Sequence, residues 1–282
     1  MNSPATLVIG ATGTTGRRVT ARLIAERHRV KAAGRSATPV EGAEAVRFDW
    51  NEPATWSGAV DGVDRVYLVP PIGSSAPATV MLPFLRLARD AGVQRAVLLS
   101  SSAIPSGGPT VGQVHEALPG LFAQWAVLRP SWFMQNFTGS MPHARSIRDE
   151  GAIRSAAGDG RVGFVDAEDI AAVAVRALTD EQAPNTDLIL TGPQTLSYDD
   201  VAAILTESVG RTVVHRRLTF EQLRDRWAAE IPLEFATMLA AMDRAIAEGA
   251  EDRTSDAVQR LTGHSPGTFR TFVEREVGRT RS

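Results

Sequence analysis

Three glycines, Gly10, Gly13 and Gly16, follow a short apolar run and stand immediately before a helical pattern, in LVIGATGTTGRRV over residues 7–19. A GxxGxxG turn between a strand and a helix suits a dinucleotide pyrophosphate. Glycine lets the backbone N–H groups come close, and the helix N-terminus favours the negative charge. Thr12, Thr14 and Thr15 add hydroxyls for phosphate oxygens, and Arg17 and Arg18 put positive charge at the same helix start. Arg35 closes the next extended run, RVKAAG. An acid at that place would accept from the ribose 2'-hydroxyl of NAD, whereas arginine suits the 2'-phosphate of NADP. NADPH is therefore the expected cofactor, the alternative being an exposed arginine at a strand end. Asp49 and Trp50 end a third extended run and are expected beside the adenine, with Asp49 accepting from its amino group.

At the far side of the same sheet, Ser100, Ser101 and Ser102 end the run QRAVLL. Ser101 is expected to hydrogen-bond substrate or nicotinamide; the alternative is a hydroxyl that satisfies local backbone groups. Pro70 and Pro71 follow RVYLV and would form a rigid wall to the cofactor cleft. After the run around residues 125–128 comes RPSWFMQNF. From Pro130 to Ala144 there is no acid, lysine or arginine, yet three aromatics. An uncharged aromatic segment directly after a strand is a candidate substrate pocket, with plain core as the alternative. Trp132, Phe133 and Phe164 are the expected substrate contacts, suited to stacking on a flat ring or a cation, together with Tyr67 on the RVYLV strand.

The elements that must position these groups alternate regularly. Extended runs at residues 29–34, 45–49, 65–69, 94–99 and 125–128 are separated by helical patterns at 19–26, 53–60 and 79–91. This is the pattern of a Rossmann-type α/β fold with a doubly wound parallel sheet, whose ligands bind beyond the C-terminal strand ends. Residues 166–178 are an amphipathic helix with acids in its first turn. Beyond Asp187 a strand at 188–191, a helix from 198 to 209 with Ser197 as N-cap, a strand at 212–218 and further helices are expected to form a small α/β substrate lobe. The single chain is thus expected to be mainly dinucleotide-binding over 1–141 and mainly substrate-covering over 142–282, the two interleaved.

Bulk composition narrows the classes. With 282 residues and 43% apolar content the chain can build a full core. A formal net charge of −2 gives no general attraction to nucleic acid or anionic lipid. Four prolines interrupt the longest uncharged stretch, residues 66–85, which argues against a membrane helix. The absence of cysteine removes disulfides, thiolate nucleophiles and cysteine metal sites, fits a reducing cytoplasm, and leaves no metal site expected. No secretory signal is expected, because the first residues lack a basic region and glycine soon breaks the apolar run. Among the thirty basic residues only Lys31 is lysine, and it lies within the second strand, away from any hydride chemistry.

With these residues in view, the chain resembles the atypical short-chain dehydrogenases of the NmrA-like group over most of its length. The resemblance rests on GATGTTG at 10–16, Arg35, LLSSS at 98–102, GQVHEAL at 112–118, LRPSWFMQNF at 128–137 and FVDAEDIAAVA at 164–174. His115, RPSWFMQNF and the double proline make it most similar to the ergot-alkaloid reductase branch, which reduces a cyclic iminium. The resemblance implies that Pro130 contacts cofactor and that His115 orients it, or donates a proton, with a surface-helix histidine as the alternative. Ordinary members of the wider group use a tyrosine with a lysine four residues later. This chain has only Tyr67 and Tyr198, neither followed by lysine at that spacing. The implied activity is NADPH-dependent reduction of a C=N or C=O carbon in a small, largely apolar metabolite, by a cytoplasmic monomer or homodimer. Quinone or enone reduction and a non-catalytic NADP(H) redox sensor are the alternatives.

Overall fold

The computed structural model describes residues 4–281, with side chains through Glu276. Strands and helices alternate through β1 (Ala5–Ile9), α1 (Gly16–Ala25), β2 (Val30–Gly34), β3 (Glu44–Arg47), α2 (Trp56–Val60), β4 (Val63–Leu68), α3 (Ala78–Asp90), β5 (Arg95–Leu99), α4 (Gly112–Leu121) and β6 (Gln124–Pro130). The chain continues through α5 (Pro142–Glu150), β7 (Ala152–Ser155), β8 (Arg161–Val162), α6 (Ala167–Thr179), β9 (Thr186–Leu190) and β10 (Leu196–Ser197). It ends with α7 (Tyr198–Val209), β11 (Val214–Arg217), α8 (Phe220–Ala228), α9 (Leu233–Ala247), α10 (Ala257–Thr262) and α11 (Phe269–Arg281).

Seven strands form one sheet in the order β3-β2-β1-β4-β5-β6-β9. Neighbours from β3 to β6 are parallel. The strand order reverses between β1 and β4, and in such sheets the crevice beyond the strand ends at that switch point takes the ligand. β1 is buried along its whole length and most of β2 and β5 likewise, as strands covered by helices on both faces must be. The expected doubly wound α/β fold is thus present.

The chain divides into two compact units. One runs through Pro130 and takes in Ala167–Ile189 and Arg260–Gly263; the other comprises Ser131–Asp166, Leu190–Gln259 and the chain from His264. In the first, Phe48, Trp50, Trp56 and Phe84 meet edge to face at centroid distances of 4.8–5.7 Å. In the second, Phe137, Phe164, Tyr198 and Phe269 form a comparable cluster, flanked by the small pairs β7 with β11 and β8 with β10. Ser197 caps α7 as expected: its hydroxyl accepts from the Asp200 N–H, and the Asp200 carboxylate accepts from the Ser197 N–H. The strand expected at 188–191 differs in place. It is β9, and it extends the main sheet beside β6, because strand pairing is decided by partners far away in sequence. Among the described residues no helix is long and apolar enough to cross a membrane.

Candidate active site

The glycine turn is tightly built. The N–H groups of Gly10 and Ala11 both donate to the Ala33 carbonyl, tying the turn to β2, and the Gly13 N–H donates to the Gly10 carbonyl. Gly10 has φ +72°, which a side chain would strain. A Cβ on Gly16 would lie 2.1 Å from the Gly10 carbonyl oxygen, so α1 can start this close to β1 only with glycine there. The N–H groups of Thr12, Thr14 and Thr15 donate to no protein acceptor among the described residues. Uncommitted amides over a glycine-only approach fit a pyrophosphate. Arg18 does not serve that purpose. Its Nε pairs with Glu168 on α6 at 2.9 Å and its Nη1 donates to the Thr14 carbonyl at 2.7 Å, so its charge is consumed in clamping the turn to α6. Arg17 remains exposed.

A cavity of about 130 Å3 opens beside this turn, lined by Thr12 and by the end of β2 with Arg35, Ser36 and Thr38. Arg35 is exposed and has no carboxylate partner among the described residues. One unpaired guanidinium with three hydroxyls is a donor set for a phosphate ester. Ser36 and Thr38 were missed in the sequence, where the hydroxyl-rich run RSAT directly after β2 was the available signal. Asp49 turns back on its own chain, accepting from the Asn51 N–H at 2.9 Å. Trp50 is buried, and its indole N–H donates to the Val69 carbonyl at 3.0 Å, so it braces β4 rather than presenting a face to adenine. Pro70 and Pro71 follow β4 half-buried. Lys31 is buried, its ammonium held by the Asp61 carbonyl at 2.7 Å and the Gly58 carbonyl at 3.3 Å. It is structural.

At the β5 end, the Ser100 hydroxyl is buried without a partner among the described residues, an orphaned group that a ligand could satisfy. The Ser101 hydroxyl accepts from the Ala103 N–H at 3.3 Å. Arg129 fixes this segment: it donates to the Ser101 and Ser102 carbonyls and pairs with Asp187 on β9 at 2.5 Å. Pro130 is buried, and its carbonyl accepts from the Ser102 N–H. His115 on α4 is 5% exposed, with Nδ1 unpartnered among the described residues and its ring 6.5 Å from that of Trp125. Burial pulls its pKa below the usual imidazole value, against the field of Asp187 and with that of Arg129. Tyr67 is 0% exposed, its hydroxyl has no hydrogen-bond partner among the described residues, and burial pushes its phenol above the usual value. The expectation that Tyr67 touches substrate does not survive this burial, because its ring lies inside the sheet's packing.

In the second unit, Trp132 and Phe133 are half-buried and extended, with the Trp132 carbonyl accepting from the Val165 N–H and the Val165 carbonyl from the Met134 N–H. Phe164 is 1% exposed within the aromatic cluster. It is a core residue, with no surface for a ligand.

A phosphate-type turn, a hydroxyl-rich cavity at the end of β2 and a serine run at β5, on a doubly wound sheet, define a dinucleotide-binding protein of Rossmann type. The NAD(P)H-binding family model matches residues 10–181 and the NmrA-like family model residues 113–273. The chain belongs to the NmrA-like family and is an NAD(P)H-dependent oxidoreductase. It is 41% identical over 237 residues to agroclavine dehydrogenase of Claviceps fusiformis, covering 80% of this chain and 81% of that one. It is 36% identical over 282 residues to festuclavine synthase II of Penicillium roqueforti, covering 96% and 97%. Among solved structures it is similar to the Citrobacter triphenylmethane reductase complexed with NADP(H), with a TM-score of 0.79, 27% identity, and coverage of 96% of this chain and 99% of that chain.

Proposed function

We propose that the protein is an NADPH-dependent reductase of a C=N or C=O carbon in a small, largely apolar metabolite, and that it works without a tyrosine–lysine pair. One observation carries this reading. Both tyrosines are fully buried, and burial raises both phenols, while the only lysine is held by backbone carbonyls. None of the three can deliver a proton to a substrate. The bound reduced nicotinamide supplies hydride. An iminium so reduced becomes a neutral amine with no further proton, whereas a ketone gives an alkoxide that requires one. A site without a strong acid therefore favours iminium ions, including cyclic imines that take their proton from solvent before hydride arrives, over simple ketones.

The placement of the chain's own residues supports the following roles. The amides of the glycine turn hold the pyrophosphate, and Arg35 with Thr12, Ser36 and Thr38 selects the 2'-phosphate. Ser100 and Ser101 orient the nicotinamide end, and Trp132 and Phe133 offer the aromatic face for a flat or cationic ring. His115, whose pKa burial pulls below the usual imidazole value, orients the cofactor. The cysteine-free composition suits a reducing cytoplasm. Relatives are named for a clavine alkaloid and for a triphenylmethane dye, so a substrate class, and no single substrate, carries over.

The test follows absorbance of the reduced-nicotinamide band with panels of cyclic imines, aryl ketones and quinones. Consumption fastest with cyclic imines is expected. Turnover of quinones alone, or tight NADPH binding with no consumption by any panel, would overturn the reading, the latter in favour of a redox sensor.

A further inference from the structure

Phe137, Ile147, Leu205, Val209 and Phe272 floor a cavity of about 380 Å3 that lies wholly within the second unit. It shares no residue with the glycine turn, the serine run or the Trp132–Phe133 segment. Its size falls within the range of small-molecule sites. The floor is firm: Phe137 and Phe272 are buried, and the Phe137 ring already meets Phe269 at 5.2 Å and Phe164 at 5.4 Å. A floor of hydrocarbon gives water few partners, so an apolar occupant gains by displacing it.

The rim has the opposite character. Arg148 donates to the Gly139 carbonyl at 2.6 Å, and Arg211 donates to the Arg148 and Ile147 carbonyls at 3.1 and 2.8 Å. These bonds fasten the Arg211 guanidinium at the C-terminal end of α5 and the Arg148 guanidinium to the carbonyl of Gly139, ahead of the helix, while leaving each with further N–H donors. Neither arginine meets a carboxylate among the described residues. Glu276 also lines the cavity, and it stands 3.6 Å from Arg275. An apolar floor beneath two anchored, uncompensated guanidiniums is complementary to a molecule with a hydrocarbon body and one anionic end.

We propose that this cavity is a binding site for a small amphipathic carboxylate, its apolar body on the Phe137–Phe272 floor and its carboxylate on the rim that carries Arg148 and Arg211. The site is separate from the one assigned to cofactor, and it stands or falls independently of the reaction proposed above.

Isothermal titration with decanoate, decanol as the uncharged control and the intact protein tests this. Decanoate is expected to bind saturably, one per chain, and at least tenfold more tightly than decanol. Replacing both rim arginines, Arg148→Gln with Arg211→Gln, should weaken decanoate at least tenfold and decanol less than twofold. Val209→Trp should fill the cavity and abolish decanoate binding while NADPH affinity stays within twofold, which also shows that the variant is folded. Val209→Leu is the milder filler should the tryptophan prevent folding, and it should weaken decanoate several-fold. Equal affinity for decanoate and decanol, survival of binding in the filled variants, or the absence of saturable binding would overturn the proposal. Self-association through this face with no decanoate uptake would do the same, by assigning the groove to a second copy of the chain.

Discussion

Arg35→Ala tests the cofactor assignment with a worked magnitude. The side chain is exposed and unpaired, so its removal leaves no buried partner unsatisfied and opens no core cavity. The loss on NADPH binding is then the net worth of a charge-assisted contact to the 2'-phosphate, about 1.5–3 kcal/mol. Water screens an exposed pair, which places the expectation at the lower end, a roughly 10- to 30-fold rise in Kd. NADH has no 2'-phosphate, and its Kd should move by less than about twofold. Arg35→Lys keeps the charge without the planar fork and should fall between. Fluorescence titration of the reduced nicotinamide with each variant reads both cofactors, and the NADPH preference should shrink as salt is raised. Equal weakening of NADPH and NADH would refute the assignment, since the contact would then be to a group they share.

Three further outcomes are expected. Gly16→Ala forces a Cβ to within 2.1 Å of the Gly10 carbonyl oxygen, so the turn must open; thermal melts should show a loss of about 1–3 kcal/mol, and cofactor titration at least tenfold weaker binding. Ser101→Ala and His115→Ala should slow an aryl ketone and a cyclic iminium to a similar extent in steady-state kinetics, as positioning residues do; a markedly larger loss on the ketone would refute the positioning role and assign proton handling to that residue. Burial pushes the Asp243 carboxyl up to about 6, against the Ala156 N–H that it accepts. The folded chain therefore holds this proton longer than the unfolded one, and the stability it contributes is complete below about pH 4 and lost as pH rises through 6. Asp243→Asn should be the more stable protein at pH 8, by up to about 3 kcal/mol in urea unfolding, and equal to the parent at pH 4. A difference independent of pH would refute the buried-carboxylate account.

The glycine triplet and the Ser197 cap were legible in the sequence because each acts on backbone within a few residues. The aromatics were not. Trp50, Tyr67 and Phe164 read alike whether they face a ligand or a core, and only packing separates them: the Trp50 indole finds the Val69 carbonyl, and Phe164 sits among Phe137, Tyr198 and Phe269. Arg18 looked like phosphate chemistry because its partner, Glu168, lies 150 residues away. Glu168 in turn looked like an ordinary first-turn acid. The Arg129–Asp187 pair that fastens the serine run was invisible for the same reason, as was the joining of β9 to the main sheet. Local rules locate a turn or a cap; they do not say which side chains a distant strand will cover.

Lys31 has a practical consequence. With its ammonium bonded to two carbonyls and no cysteine anywhere, the chain offers amine-directed and thiol-directed reagents almost no side-chain target. A single introduced cysteine would be a unique attachment point. Ile72, 99% exposed just after Pro70 and Pro71, is a natural place for it. A fluorophore there would report on the loop that leaves β4, in a protein that needs no prior removal of competing thiols.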